Sequence, residues 1–124
     1  MGQYVVNEKD GKYLFNLAGS NGHILATSMV FPSRDDCLAA IGKVKTSAAG
    51  AGIEDTTVDP MVVVPGAKYR IFQTLTGNYF FRFYPAEGED VVQSHTYPHK
   101  DSLLRRIERM RVEGDSSIAE ETDY

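Results

Sequence analysis

Apolar and polar positions alternate along the first part of the chain and then change period. Residues 3–8 (QYVVNE) form a short apolar stretch. Residues 12–18 (KYLFNLA) alternate, which places Tyr13, Phe15 and Leu17 on one face of a strand. Lys9-Asp10-Gly11 between them reads as a turn, with a glycine free to take positive φ. Gly19-Ser20-Asn21-Gly22 is a second turn, and Asn-Gly is among the strongest short hairpin signals. Residues 23–30 (HILATSMV) form a third strand, ended by Phe31-Pro32. The spacing then lengthens. Cys37, Leu38, Ile41 and Val44 recur at helical intervals, which predicts an amphipathic helix over 34–48. Ser33 stands at its N-cap, and Asp35 and Asp36 suit the positive end of the helix dipole. Gly50-Ala51-Gly52 ends it. Residues 53–66, with Thr56-Thr57-Val58 and Met61-Val62-Val63-Val64, read as a fourth strand and a linker.

The same order returns in the second half. Strands are expected at 68–74, 78–84 and 90–96, with turns at Thr76-Gly77 and Glu87-Gly88. A helix over 100–112 would bury Leu103, Leu104, Ile107 and Met110, with a weaker cap because His99 stands where Ser33 stood. Residues 113–124 are acidic and read as a short edge strand or a frayed tail. Residues 4–45 align with 70–111 at a constant offset of 66 without a gap, and Gly11/Gly77, Tyr13/Tyr79, Phe15/Phe81, Ser28/Ser94 and Ile41/Ile107 are among the identities. A repeated unit needs a neighbour to cover its apolar face, and each half alone is near the lower size limit for an independent core. The expectation is one domain over 1–124, with repeat one at about 3–64 and repeat two at about 67–121.

The 124 residues carry 17 acidic and 13 basic side chains, a net charge of −4, which argues against a strongly basic nucleic-acid binder. No apolar run approaches the length of a membrane helix. No basic segment followed by an apolar one opens the chain, so a cytoplasmic location and no membrane partner are expected. Cys37 is the only cysteine, which excludes an internal disulfide and a cysteine-based zinc site.

The strings Tyr13-x-Phe15-x-Leu17, Asn21-Gly22-x-Ile24, Ser28-x-x-Phe31-x-Ser33 and Ile41-x-x-Val44-Lys45, with Ala48, resemble the YegP-like family of small prokaryotic proteins of unknown function. The match covers residues 11–48; the second half resembles it as a divergent duplicate. The resemblance implies a β-β-β-α-β unit, present twice or made by dimerisation, with the two units joined in one sheet and their last strands exchanged. Residues 53–64 and 115–121 would be those strands. The expected class is α+β: two β-β-β-α-β repeats in one antiparallel sheet with both helices on one face. The resemblance carries over no catalytic residue and no cofactor.

Several side chains could carry chemistry. His95 and His99 have HxxxH spacing, but one ends a strand and the other enters a helix, so they read as surface or cap histidines and no metal is expected. Cys37 lies in a helical first turn yet on the apolar stripe, which reads as a buried thiol. Ser28 and Ser94 are repeated without a repeated base and read as hydroxyls bonded to nearby backbone. Arg105, Arg106, Arg109 and Arg111, with Lys100, give the second helix a basic outer face, which is either a phosphate or nucleic-acid patch or a solvated surface neutralised by the acidic 113–124 segment.

The sheet supplies the sharper hypothesis. If Tyr79, Phe81 and Phe83 face the helices, the opposite face carries Phe80, Arg82 and Tyr84, followed in the next strand by Gln93 and His95. The matching residues of the first half are the plainer Leu14, Asn16 and Ala18. Aromatics interleaved with Arg can bind a peptide or stack bases. The expected function is a non-enzymatic binding module, monomeric or homodimeric, that meets a protein partner through this face. The alternative is single-stranded nucleic-acid binding by Phe80, Arg82 and Tyr84 together with Arg105 and Arg109. An enzyme using Ser28, Ser94 or Cys37 ranks last, because no acid–base pair accompanies them.

Overall fold

The alternation of residues 3–18 closes into a hairpin because Asp10 (φ 54°) and Gly11 (φ 76°) both turn left-handed. That geometry matches the strand twist and lets Lys9 pair directly with Lys12. The computed structural model describes residues 2–86, 89 and 91–121. Its elements are β1 (Gln3–Lys9), β2 (Lys12–Ala18), β3 (Ile24–Ser28), α1 (Arg34–Ser47) and β4 (Gly52–Asp55), then β5 (Lys68–Gln73), β6 (Tyr79–Tyr84), β7 (Val92–Gln93), α2 (Lys100–Glu113) and β8 (Ser117–Glu121). The Glu87-Gly88 turn and the end of the acidic tail lie outside the described residues. Among the described residues no helix is long and apolar enough to cross a membrane.

The strands form one eight-stranded sheet in the order β4-β5-β6-β7-β3-β2-β1-β8. β4 has left its own hairpin for β5, and β8 has left its own for β1. The last strands are therefore exchanged, and residues from each half complete the sheet of the other. The expectation of a wholly antiparallel sheet is corrected at the two edges, where β4–β5 and β1–β8 run parallel. From β3 to β5 there are three antiparallel steps, so β5 runs opposite to β3. α1 delivers the chain to the same end of the sheet at which it left β3, and β4 then follows β5's direction. A connection to the opposite end would have made the edge antiparallel.

A second correction concerns the alignment of the halves. Val6 pairs with Phe15, and Ile71 with Phe81. The first strands therefore correspond at an offset of 65, while the second strands keep 66. The extra residue lies in the second hairpin, where Thr74 N–H donates to Asn78 O (2.7 Å) across a three-residue tip, with Gly77 at φ 91°. A third correction concerns residues 53–64. Only the Gly52–Asp55 segment is strand, whereas Met61, Val62 and Val63 are exposed in the following loop. Gly52-Ile53-Glu54-Asp55 pairs in parallel with β5 and becomes the outermost strand, while Val64, at the end of the apolar run, is tied back to it by donating its N–H to Glu54 Oε1 at 2.9 Å. The third strand expected over 90–96 is only Val92–Gln93.

One apolar cluster holds the fold together. It joins Tyr4, Phe15, Leu17, Tyr69, Phe81 and Phe83 of the sheet to Cys37, Ile41 and Val44 of α1 and Leu103, Ile107 and Met110 of α2. Both helices thus cover the same face. Ser33 caps α1 by accepting from Asp36 N–H (3.1 Å), whereas His99 makes no side-chain cap bond to α2. The Tyr69 hydroxyl donates to Ala48 O (2.7 Å) at the end of α1, and the Tyr4 hydroxyl to Gly114 O (2.6 Å) at the end of α2. Each phenol satisfies a helix-terminal carbonyl inside the core.

Candidate binding face

The face of β5–β6–β7 turned away from the helices is built by strand alternation alone. In β6, Phe81 and Phe83 are fully buried against the helices, so Phe80, Arg82 and Tyr84 point the other way. In β5, Tyr69 and Ile71 are buried, which sends Arg70 and Phe72 to that same outer face. Register then puts Phe72 opposite Phe80 and Arg70 opposite Arg82. The two rings stack at 5.3 Å and 21°. Guanidinium carbons flank them: Arg70 lies 5.3 Å from the Phe72 centroid, and Arg82 lies 5.2 Å from Phe72 and 5.7 Å from Phe80.

Two like charges directly opposite on neighbouring strands repel. The surroundings offset this unequally. Arg70 meets the buried Glu54 carboxylate at 3.0 Å, which also lies 3.6 Å from Lys68 and accepts Val64 N–H at 2.9 Å. Among the described residues Arg82 has only a neutral partner, donating from Nε to Gln93 Oε1 at 3.1 Å, and its charge is the uncompensated one on the platform. The corresponding positions of the first half are Val5, Asn7, Leu14 and Asn16, without ring or cation, and Asn16 Oδ1 there accepts from Thr27 Oγ1 at 2.6 Å.

Of the residues expected to bind, the structure brings Phe80, Arg82, Tyr84 and Gln93 together on this face. It separates Arg105 and Arg109 from them, because α2 packs on the opposite side of the sheet. His95 follows β7 and lies exposed beside the β3–β7 junction. The combined nucleic-acid surface expected from the sequence is therefore two surfaces. Arg70 and Phe72 escaped the sequence reading. A gapless alignment equates Phe72 with the core residue Val6, whereas the alternation of Tyr69-Arg70-Ile71-Phe72 alone would have placed it outside.

The other candidates have structural roles. Ser28 Oγ accepts Phe15 N–H at 2.9 Å and donates to Met29 O at 2.7 Å; Ser94 Oγ does the same with Phe81 N–H and His95 O at 2.9 and 2.8 Å. Both hydroxyls are committed to backbone, as expected. Cys37 is fully buried, and burial pushes its thiol up to about 11 although Arg34 acts to lower it. Asp55 holds Lys100 Nζ at 2.8 Å; burial acts to raise its carboxyl, but the bonds from Lys100 and Thr57 leave it lowered. His95 and His99 sit in the connection to α2, and among the described residues no three His, Cys, Asp or Glu side chains cluster as a metal site would need.

Residues 8–55 match the family model of the domain of unknown function DUF1508. The solution structure of the protein of unknown function yegP from E. coli has the same fold, with a TM-score of 0.77 at 17% identity over 99% of this chain and 95% of that one. A UPF0339 protein from Shewanella oneidensis is similar to the same degree, with a TM-score of 0.77 at 16% identity over 98% of this chain and 92% of that one. No protein of curated function matches the sequence.

Proposed function

We propose that this chain, whose residues 8–55 match DUF1508 and whose fold is that of yegP, is a non-enzymatic binding module that meets a protein partner through the open face of β5–β6–β7. The observation that carries this reading is the Phe72–Phe80 stack flanked by Arg70 and Arg82. Aromatic and Arg side chains contribute strongly to the energetics of protein contacts, the rings through the large apolar area they bury and Arg through its planar, multiply donating guanidinium. The partner segment is one that offers a carboxylate to Arg82 and apolar side chains to the rings. Cross-linking of the tagged protein, followed by identification of the captured chain, tests the reading against two variants. Replacing Phe80 and Arg82 with Ala should remove capture while leaving the circular dichroism spectrum intact. Replacing Leu14 and Asn16 on the other half of the same face should not. Capture that survives the first pair refutes the proposal.

Single-stranded nucleic acid is the second reading, favoured by the same stacked rings. Base–aromatic stacking contributes about 1–3 kcal/mol per base. This reading now rests on Phe72, Phe80, Arg70 and Arg82 alone, without the α2 arginines. It requires affinity for a short oligonucleotide that falls steeply with salt; absence of binding at low salt removes it.

A further inference from the structure

A second surface, independent of the open sheet face, gathers positive charge in a protein whose net charge is −4. It is a groove between the outer side of α2 and the β2–β3 turn. One stretch, ≈ 460 Å³, is lined by His23, Ile24, His95, Tyr97 and Arg106. The adjoining stretch, ≈ 330 Å³, shares Tyr97 and Arg106 and adds Asn21, Ser102, Arg105 and Arg109. Among the described residues no carboxylate lines either stretch. Each has the size of a small-molecule site.

The three guanidiniums are held differently. Arg109 is fixed in place, bonded to Ser20 Oγ and paired with Glu113 at 3.0 Å, so its own charge is largely neutralised. Arg106 lies with its guanidinium carbon 5.7 Å from the centre of the Tyr97 ring. Among the described residues Arg105 donates only to the neutral Ser102 Oγ at 3.3 Å. Among the described residues neither Arg105 nor Arg106 has a carboxylate partner. Two unneutralised guanidinium forks thus face one groove beside a pre-positioned third, with Asn21 and Ser102 as neutral hydrogen-bonding groups. The first half has Ala39, Ala40 and Lys43 at the matching positions of α1.

We propose that this groove binds a small ligand through a phosphate monoester or pyrophosphate group. Guanidinium forks match phosphate oxygens in pairs, and a terminal phosphate carries the near-double negative charge that Arg105 and Arg106 leave unmatched. A small ligand fits better than a polyanion, because the groove is short and the surrounding protein is anionic.

The test uses the full chain, labelled with nitrogen-15 and titrated with inorganic phosphate, pyrophosphate or AMP at constant ionic strength. Amide shifts should concentrate on residues 21–24, Tyr97 and residues 105–109. An Arg105→Ala/Arg106→Ala variant should bind at least about tenfold more weakly for each guanidinium lost, the scale of one charged hydrogen bond. An Arg105→Lys/Arg106→Lys variant keeps charge and fold and should bind with intermediate affinity. Arg82→Ala should bind as the parent does, which separates this site from the open sheet face. Tighter binding of AMP than of inorganic phosphate assigns a nucleotide, and equal binding assigns the phosphate group alone. Shifts scattered over the surface, shifts unchanged in the double Ala variant, or binding of an oligonucleotide without binding of any of the three small probes would overturn the proposal.

Discussion

Replacing Glu113 with Gln should destabilise the protein strongly at neutral pH and hardly at all in acid. Glu113 ends α2 with its side chain only 5% exposed, and it ties three segments together. One carboxylate oxygen accepts Gly2 N–H at 3.0 Å; the other accepts Ser20 N–H at 2.8 Å and meets Arg109 at 3.0 Å. Burial acts to raise its carboxyl, but the N–H groups of Ser20 and Gly2, the Ser20 hydroxyl and Arg109 outweigh it and leave it below the usual range. An amide keeps the shape but can accept on one side only, so its NH2 must face another donor. Charged hydrogen bonds contribute about 1.5–3 kcal/mol and neutral ones about 0.5–1.5, so losing charge assistance on two amides costs about 2 kcal/mol. The half-exposed Arg109 pair adds ~0.5 kcal/mol after solvent screening. For a domain of this size that is a loss of roughly 10 °C in Tm. A carboxyl lowered by folding stabilises fully above its unfolded value of about 4.3, and that stabilisation is lost as pH falls through the lower folded value. The gap between thermal melts of parent and E113Q should therefore hold from pH 7 to about pH 5, begin to narrow near pH 4 and keep closing as pH falls further. Equal Tm values at pH 7, or a gap that stays constant into acid, would refute the reasoning.

Three further outcomes follow from packing and burial. Cys37 should resist maleimide at pH 8 in the native protein and react fully in denaturant, since its thiol is buried and raised to about 11; native labelling at the denatured rate would contradict the structure. Ser94→Ala should lower urea stability by about 1–3 kcal/mol, because Phe81 N–H loses its acceptor inside the core, and Ser28→Ala should do the same through Phe15 N–H. Gly114→Ala should cost about 1–3 kcal/mol by overpacking, because its Cβ would stand 2.7 Å from the Ala48 Cβ where the two helix ends meet; a Tm at or above the parent's would show that the ends can separate.

The local elements were legible in the chain because they rest on short-range rules. A short apolar stretch marked β1, period two marked β2, the return of the same order marked β5 and β6, period 3.6 marked α1 and α2, and Ser33 marked the start of α1. The candidate face was half legible: Phe80, Arg82 and Tyr84 follow from alternation in one strand. Phe72 and Arg70 were not, because an unmarked extra residue in the Thr74–Asn78 hairpin shifts the first strands of the two halves against each other by one place. A shift of one exchanges core and surface in a strand.

What the amino-acid order determined by itself was the set of elements and the buried face of each, since period and capping depend on residues a few places apart. Tertiary structure alone decided the rest. Gly52-Ile53-Glu54-Asp55 became an edge strand while the valine-rich Met61-Val62-Val63 stayed exposed in the following loop, so tertiary pairing with β5 and not strand propensity chose the edge. The sheet likewise decided that the stacked rings and the α2 arginines lie on opposite sides, since the side of a sheet to which a helix packs is a property of the closed core. Glu113 shows the same point most plainly. Its partners Gly2 and Ser20 are 111 and 93 residues away, and only the return of the chain to β1 brings the three together.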